Sequence, residues 1–237
     1  DVGEMLGRGA MGEVYRARYL PTDRPAAIKL LHPMILSEPG VVERFLREAK
    51  VASAIASDHV VKILGSGTSD DGIPFIAMEL LEGRDLADKL RDDRRMPANA
   101  VLDLVEQVAH ALSAADEAGV VHRDVKPQNL FSTERDGKVS WKVLDFGVSK
   151  LNETASTLTR GGIIGTPSYM APEQARGDQV DHRADVFSLG VICYRALTGR
   201  PAFTGPDSVT TIYNVLHMQP ARPSENESLG EDVDRVL

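Results

Sequence analysis

The stretch VVHRDVKPQNLF, residues 120–131, places charged and polar side chains between apolar ends. The apolar ends favour a buried position, and a buried charge without a partner is costly. Partners or a ligand from elsewhere in the chain must therefore satisfy the polar side chains of this stretch. These polar residues are His122, Arg123, Asp124, Lys126 and Asn129.

Length and composition indicate a globular chain. Its 237 residues are 42% hydrophobic and 26% charged, enough for one compact unit or two small lobes. The formal net charge of -8 argues against a general nucleic-acid or anionic-membrane binder, because such proteins need a basic surface. The single cysteine, Cys193, excludes an intrachain disulfide framework and indicates a reducing compartment.

The chain contains no apolar stretch of the roughly 18 residues that a membrane span needs, and its first residues lack the apolar region of a signal peptide. These features predict a cytoplasmic location. Because a motif lies close to residue 1, we also expect that the chain is a piece of a longer protein, which leaves room for a membrane anchor outside it.

The pattern of the chain changes near residue 82. Before that point, alternating runs predict strands at residues 13–20, 25–31, 60–67 and 74–81. A helix is predicted at residues 38–56, where apolar residues recur at steps of three and four. After Gly83 the patterns are mostly helical, as at residues 99–119, with a strand-like run at 138–144. A small β-rich lobe over residues 1–82 and a larger helical lobe over 83–237 are expected.

The N-terminal run LGRGAMGEV, residues 6–14, has the glycine spacing G-x-G-x-x-G at Gly7, Gly9 and Gly12. Glycines let a backbone approach phosphates closely, but this pattern alone is a weak signal. Here a strand pattern follows, whereas the dinucleotide fingerprint must open a helix. The run therefore predicts a flap over a nucleotide. Lys29 lies on the next strand, either to reach phosphate oxygens or as a solubilising lysine on a sheet edge.

A second signal is KVLDFG, residues 142–147, in which Asp145 ends an apolar strand. Magnesium prefers one or two carboxylates together with phosphate oxygens and waters. Asp145 and Asn129 could supply such oxygen ligands. The two stretches together predict a metal–nucleotide site that satisfies the polar residues of 120–131.

LGRGAMGEV, AIK (27–29), HRDVKPQNL (122–130), DFG (145–147) and APE (171–173) occur in the order of the protein-kinase signature set. The chain resembles a protein kinase along nearly its whole length. GRGAMGEVYRA (7–17), FLREAK (45–50) and GTPSYMAPEQ (165–174) resemble the bacterial Hanks-type serine/threonine kinases in particular. The resemblance implies an α+β, bilobal fold with a small antiparallel sheet, one regulatory helix and a larger helical lobe that stops before the family's last helices.

The resemblance implies ATP as the nucleotide. Lys29 would contact its α and β phosphates, Met78 would be the gatekeeper beside adenine, and the backbone of Glu79 and Leu81 would bind the adenine edge. Asp85 would contact the ribose. The full set of nucleotide-binding residues implied is Leu6, Gly7, Gly9, Gly12, Val14, Ala27, Lys29, Met78, Glu79, Leu81, Asp85 and Leu130.

The same resemblance assigns the catalytic and metal-binding residues. Glu48 would pair with the phosphate-contacting lysine, Asp124 would accept the proton of the substrate hydroxyl, and Lys126 would neutralise charge on the transferred phosphoryl group. Asn129 and Asp145 would hold Mg²⁺, with Mn²⁺ as an alternative. These residues would act by positioning the reactants and by stabilising charge.

Structural roles are implied for three further residues. His122 and Phe146 would stack beneath the site, and Asp185 would fix the backbone of the catalytic loop. Ala52, one helical turn after Glu48, is smaller than the residue that many kinases place there. A loosely held regulatory helix and an inactive resting state are therefore expected.

Regulation by phosphorylation is implied by Arg123, since a buried arginine beside the catalytic aspartate can pair with a phosphate on the activation segment. The alternative is a polar loop in which none of the acceptors is modified. The candidate acceptors are Thr154, Ser156, Thr157 and Thr159.

Lys126 and Thr166 resemble the serine/threonine class, so the expected substrates are proteins with Ser or Thr acceptors. Kinases of this bacterial group often form homodimers for phosphorylation in trans and recruit proteins with forkhead-associated domains. The chain could also be the cytoplasmic domain of a membrane-anchored receptor kinase.

Two alternative functions stay open, a pseudokinase scaffold and a small-molecule phosphotransferase. The intact Lys29, Asp124 and Asp145 argue against the first, and GTPSYMAPE argues against the second.

Overall fold

The computed structural model describes residues 1–9, 11–146, 167–225, 229–230 and 233–234. The N-terminal part forms an antiparallel sheet with strand order β1-β2-β3-β5-β4. Its strands are β1 (Val2–Arg8), β2 (Gly12–Tyr19), β3 (Arg24–Leu31), β4 (Ile63–Thr68) and β5 (Pro74–Glu79).

The helix α1 (Val41–Ala54) packs against β4 and β5 of this sheet. It is shorter than the predicted span of 38–56, because Gly40 takes a left-handed φ of 72° immediately before its first turn. Phe45 and Ala49 on its buried face contact a cluster that includes Leu31 and Ile76. The helix is thereby fixed across the sheet with Glu48 on its buried side.

The C-terminal part combines a small sheet with helices. The sheet has the order β6-β7-β8 and is antiparallel. Its strands are β6 (Gly83–Asp85), β7 (Leu130–Arg135) and β8 (Lys138–Val143), and the helices are α2 (Leu86–Asp93), α3 (Ala98–Glu117), α4 (Pro172–Arg176), α5 (Arg183–Thr198) and α6 (Ser208–His217). None of the helices in the described ranges combines the length and apolar character needed to cross a membrane.

The core of this part lies between α3, α5 and β8. Leu104 and Val108 of α3, Ile192 of α5 and Trp141 of β8 are almost fully buried in one cluster. The predicted α+β fold, with a small antiparallel sheet lobe and a helical lobe, is confirmed. Cys193 is buried in the same cluster.

The observed strands differ from the predicted runs at several points: β1 and β6 lie outside all of them, and the run predicted at 74–81 ends at Glu79. Two further differences concern β4 and β7. The run predicted at 60–67 becomes β4 only from Ile63, because Val60 and Val61 pair instead with Val143 at the end of β8. The sequence patterns also did not indicate β7, which follows the charged loop directly and has polar residues at Ser132–Arg135. Tertiary pairing, which local alternation does not encode, decides both cases.

Candidate active site

The loop between α3 and β7 places its polar side chains against one another. Lys126 Nζ donates to Asp124 Oδ2 at 2.8 Å. Asn129, at the end of a 3-10 turn over Pro127–Asn129, donates from Nδ2 to the Asp124 carbonyl at 2.8 Å and to Asp124 Oδ2 at 3.3 Å. The charge concentrated in residues 120–131 is thus partly satisfied within the loop itself.

The backbone of this loop is held from below by Asp185 of α5. Its two carboxylate oxygens accept hydrogen bonds from the backbone N–H groups of His122 at 2.7 Å and Arg123 at 2.8 Å. Asp185 is buried, and burial raises the pKa of its carboxyl above the ordinary value. The predicted contact between Asp185 and the catalytic-loop backbone is therefore present.

His122 and Phe146 connect this loop to the end of β8. Their ring centroids lie 4.6 Å apart, and both side chains are fully buried. The His122 Nε2 atom also lies 2.9 Å from the carbonyl oxygen of Leu144, beside Asp145. The predicted stacking thus joins the loop to the residue proposed for metal binding.

Lys29, Glu48 and Asp145 converge from three separate elements. Lys29 Nζ, on β3, lies 3.2 Å from Glu48 Oε1 of α1 and 2.9 Å from Asp145 Oδ1. The side chains of Lys29 and Glu48 are 10% and 8% exposed, whereas that of Asp145 is 47% exposed. The ion pair implied between Lys29 and Glu48 is present, and Asp145 adds a second, more accessible carboxylate.

Burial disfavours the charged form of all three groups. Their charge interactions with one another then shift the three pKa values in different ways. For Lys29, attraction to Asp145 and then Glu48 outweighs burial and raises the pKa of the ammonium. For Asp145, attraction to Lys29 outweighs burial and lowers the pKa of the carboxyl. For Glu48, burial prevails over Lys29 and raises the pKa of the carboxyl to about 7. One ammonium cannot fully neutralise two carboxylates, so the more deeply buried Glu48 takes up a proton first.

The glycines of the N-terminal loop have different surroundings. A Cβ atom on Gly12 would lie 2.1 Å from the carbonyl oxygen of Leu30, so this position has no room for a side chain. A Cβ on Gly7 would meet nothing within 4 Å, and one on Gly9 would lie 3.8 Å from the Gly12 carbonyl oxygen. Gly12 is therefore required by strand pairing, while Gly7 and Gly9 leave the backbone accessible.

Residues predicted to surround adenine lie on paired strands. Val14 pairs with Lys29 across β2 and β3, and Ala27 pairs with Met78 across β3 and β5. Behind Met78, a narrow recess reaches Ala52, which is itself buried. Beside this recess α1 keeps its contact with Lys29 through Glu48.

The other residues predicted to bind the nucleotide differ in how exposed they are. Leu6 is exposed, Leu81 is half-buried, and Leu130 is fully buried in the main core. Asp85 caps α2, since its Oδ1 accepts a hydrogen bond from the Asp88 backbone N–H at 2.8 Å. Part of its carboxylate is therefore used for local structure.

Arg123 has a buried nitrogen without a partner among the residues that the structure describes. Its Nε makes no hydrogen bond there, while a terminal nitrogen donates to the Val180 carbonyl at 3.4 Å. Arg123 and Asp145 have positive φ angles of 65° and 45°, and such sparsely populated conformations cluster at functional sites. The candidate acceptors Thr154, Ser156, Thr157 and Thr159, together with Thr166, lie outside the described residues.

The donor set fits a magnesium ion that also binds phosphate. Among the described residues no group of three or more His, Cys, Asp or Glu could hold a metal ion by itself. Asn129 uses its amide nitrogen on Asp124, which leaves its oxygen as the atom to offer a metal, and the Leu144 N–H donates to the Asn129 carbonyl at 2.8 Å. One carboxylate and one amide oxygen on adjoining segments suit Mg²⁺ completed by phosphate oxygens and waters.

The structure adds one contact that the sequence did not indicate. Lys142 Nζ, on β8, donates to Glu79 Oε1 at 2.7 Å. The one feature of the sequence that could have indicated this contact is Lys142 itself, a single cation in the apolar run WKVL, residues 141–144, three positions before Asp145.

Comparison with known proteins agrees with this geometry. A family model for the protein kinase domain matches residues 1–232. Serine/threonine-protein kinase pkn3 of Myxococcus xanthus is 41% identical over 228 residues, which are 94% of this chain and 42% of that protein. Serine/threonine-protein kinase PknB of Mycobacterium leprae is 36% identical over 242 aligned residues, which are 100% of this chain and 38% of that protein.

The chain thus spans about two-fifths of the length of these curated relatives. The match to the family model covers both the sheet lobe with Lys29 and Glu48 and the helical lobe with Asp124 and Asp145. The resemblance to bacterial serine/threonine kinases seen in the motifs is confirmed by both relatives. Motif order, fold and relatives lead to one conclusion, that this chain belongs to the protein kinase family.

Proposed function

We propose that this domain is a serine/threonine protein kinase, which transfers the γ-phosphoryl group of ATP to Ser and Thr hydroxyls of proteins. The observation that carries the proposal is the simultaneous contact of Lys29 with Glu48 and Asp145. This arrangement joins a phosphate-binding cation, a regulatory helix and a metal-binding carboxylate, the parts that phosphoryl transfer requires. Protein kinases use ATP with a divalent metal ion.

In the proposed mechanism, the acceptor hydroxyl oxygen attacks the γ-phosphorus, its proton passes to Asp124, and the bond to the leaving ADP oxygen breaks. Lys126, 2.8 Å from the Asp124 carboxylate, neutralises charge on the transferred group. Asn129 and Asp145 would hold Mg²⁺, with Mn²⁺ as an alternative. When bound, the metal ion neutralises charge on the phosphates.

ATP binding is proposed to use both lobes. Gly7, Gly9 and Gly12 cover the phosphates, and Lys29 contacts the α and β phosphates. The adenine ring lies against Met78 and between the remaining apolar residues, with the backbone of the hinge, residues 79–81, at its edge. The proposed residues at the adenine and ribose are Leu6, Val14, Ala27, Met78, Glu79, Leu81, Asp85 and Leu130.

The serine/threonine class is supported by Lys126, by Thr166, and by the names of the relatives, serine/threonine-protein kinases pkn3 and PknB. A scaffold without catalysis is disfavoured because the Lys29, Asp124 and Asp145 side chains are present with their contacts. By analogy with the relatives, we propose that the domain acts in bacterial signalling, in the cytoplasm or on the cytoplasmic side of a membrane.

Activation is proposed to follow autophosphorylation of the activation segment. The buried Nε of Arg123, without a partner among the described residues, supports this step, because a phosphate would supply charge-assisted hydrogen bonds. Phosphorylation in trans within a homodimer and capture of the phosphorylated segment by forkhead-associated domains belong to the same proposal. The proposed acceptors are Thr154, Ser156, Thr157 and Thr159.

The proposal is tested by intact mass after incubation with Mg²⁺ and ATP, with fragmentation to locate any phosphate. We expect phosphate on Ser or Thr of residues 154–159 in the native chain and none on Asp124→Asn. Asp136→Asn, an exposed change in the turn between β7 and β8, is the matched control and should behave like the native chain. Absence of phosphate on the native chain, or equal phosphate on Asp124→Asn, would contradict autophosphorylation by this site.

A further inference from the structure

The carboxylate of Glu79 lies where three segments meet. Its Oε1 accepts from Lys142 Nζ at 2.7 Å and from the backbone N–H of Lys62 at 2.8 Å. Glu79 ends β5 at the start of the connection between the lobes, Lys62 precedes β4, and Lys142 lies on β8. The Glu79–Lys142 ion pair therefore links the two lobes directly behind the proposed nucleotide site.

This ion pair is more shielded than ion pairs on the surface of either lobe. The side chains of Lys142 and Glu79 are 16% and 29% exposed. In contrast, Arg18 and Asp23, which pair within the sheet lobe, are 60% and 74% exposed. Solvent and salt therefore screen the Glu79–Lys142 pair less strongly than they screen the exposed Arg18–Asp23 pair.

The end of β8 is also bound to the sheet lobe through its backbone. Val61 donates to the Val143 carbonyl at 3.0 Å, and Val143 donates to the His59 carbonyl at 2.8 Å. Asp145 follows two residues later. A single strand thus carries the cation that contacts Glu79 and leads to the carboxylate that contacts Lys29.

We infer that Lys142 is a positioning residue for the nucleotide. Through the Glu79 carboxylate it holds the hinge backbone, residues 79–81, in the orientation that receives adenine, although Lys142 itself touches no nucleotide atom. The inference rests on the proposed function, in which the hinge backbone binds adenine. The ion pair occurs together with the assembled Lys29–Glu48–Asp145 contacts, so it favours the binding-competent geometry and lowers the cost of ordering on binding.

The test measures the Kd of a non-hydrolysable ATP analogue and the separate KM values for ATP and an acceptor peptide. For Lys142→Met we expect the ATP KM and the analogue Kd to rise about three- to tenfold, where tenfold corresponds to about 1.4 kcal/mol. The peptide KM and kcat should stay within about twofold, because the acceptor site is unchanged. Lys142→Arg keeps the positive charge and should have the ATP KM of the native chain.

Arg18→Met is the matched control, because it removes a cation from an ion pair within one lobe. It should leave the ATP KM unchanged. Glu79→Gln keeps an oxygen acceptor for the Lys62 N–H and removes the charge, so its effect combined with Lys142→Met should be smaller than the sum of the two.

An unchanged ATP KM and analogue Kd in Lys142→Met would overturn the inference. Additive effects of Lys142→Met and Glu79→Gln, or a higher kcat without a change in ATP KM, would also overturn it. If Lys142→Met does not fold, Glu79→Gln decides instead: it removes the same ion pair and should raise the ATP KM and the analogue Kd, and unchanged values would overturn the inference. Analogue binding separates this inference from the proposed function, since it is measured even if the native chain transfers no phosphate.

Discussion

At the scale of single residues, the charge on Glu48 makes the site sensitive to pH. The pKa of its carboxyl is raised to about 7, while the pKa of Asp145 is lowered, so Glu48 loses its charge first as pH falls. Only the ionised form attracts Lys29 fully. We therefore expect kcat/KM for ATP to decline as pH falls below about 7.

The pH profile of Glu48→Gln is the control for this prediction. Nucleotide phosphates also titrate in this range, and the variant isolates their contribution. We expect Glu48→Gln to have lower activity and to lose the part of the pH dependence that belongs to the carboxyl. The stability of the fold depends on pH in the opposite direction. Between pH 4.5 and about 7 the folded chain holds a proton on Glu48 that the unfolded chain releases, so the contribution of Glu48 to the free energy of unfolding falls as pH rises through this range. Identical pH profiles for both proteins would contradict the account.

Asp185 shows how one buried residue supports the catalytic loop. Asp185→Ala leaves the N–H groups of His122 and Arg123 without their acceptor. Since each of the two unsatisfied buried donors costs about 1–3 kcal/mol, we expect the free energy of unfolding to fall by about 2–6 kcal/mol. Urea denaturation would measure this loss, with Asp103→Ala, an exposed change on α3, as the control. Equal stability of the two variants would show that the loop is held by other contacts.

At the scale of elements, the pairing of β2 with β3 depends on Gly12. Because a Cβ there would approach the Leu30 carbonyl to 2.1 Å, Gly12→Ala must displace one strand. We expect a loss of about 1–3 kcal/mol in the free energy of unfolding, a typical cost of overpacking. Gly7→Ala, where a Cβ meets nothing within 4 Å, should leave the Tm close to that of the native chain. Equal Tm values for the two variants would contradict this reading of the glycine loop.

The elements that could be predicted are those with a strong local signal. The apolar spacing of α3 and the glycine at 119 indicated that helix to within two residues of its observed bounds, Ala98–Glu117. In contrast, β7 is short and polar, and its partners β6 and β8 define it. The start of β4 was likewise set by pairing of Val60 and Val61 with β8, a contact between distant segments.

At the scale of the whole molecule, the site is a property of the two lobes together. The motifs indicated the residue types, and the resemblance implied that Lys29, Glu48 and Asp145 meet. Periodicity alone could not place them, because they come from β3, α1 and the end of β8. The Glu79–Lys142 pair had no motif at all, since it joins the end of β5 to β8, two segments far apart in the sequence.

The most direct test of the central claim is the initial rate of phosphate transfer from ATP to peptides with a single Ser, Thr or Tyr acceptor. We expect transfer to Ser and Thr and not to Tyr. Asp124→Asn should reduce the rate by about 10²–10⁴-fold, because it removes the proton acceptor. The same variant should still gain thermal stability from the ATP analogue. Transfer at an undiminished rate by Asp124→Asn, or nucleotide binding without transfer by the native chain, would contradict it.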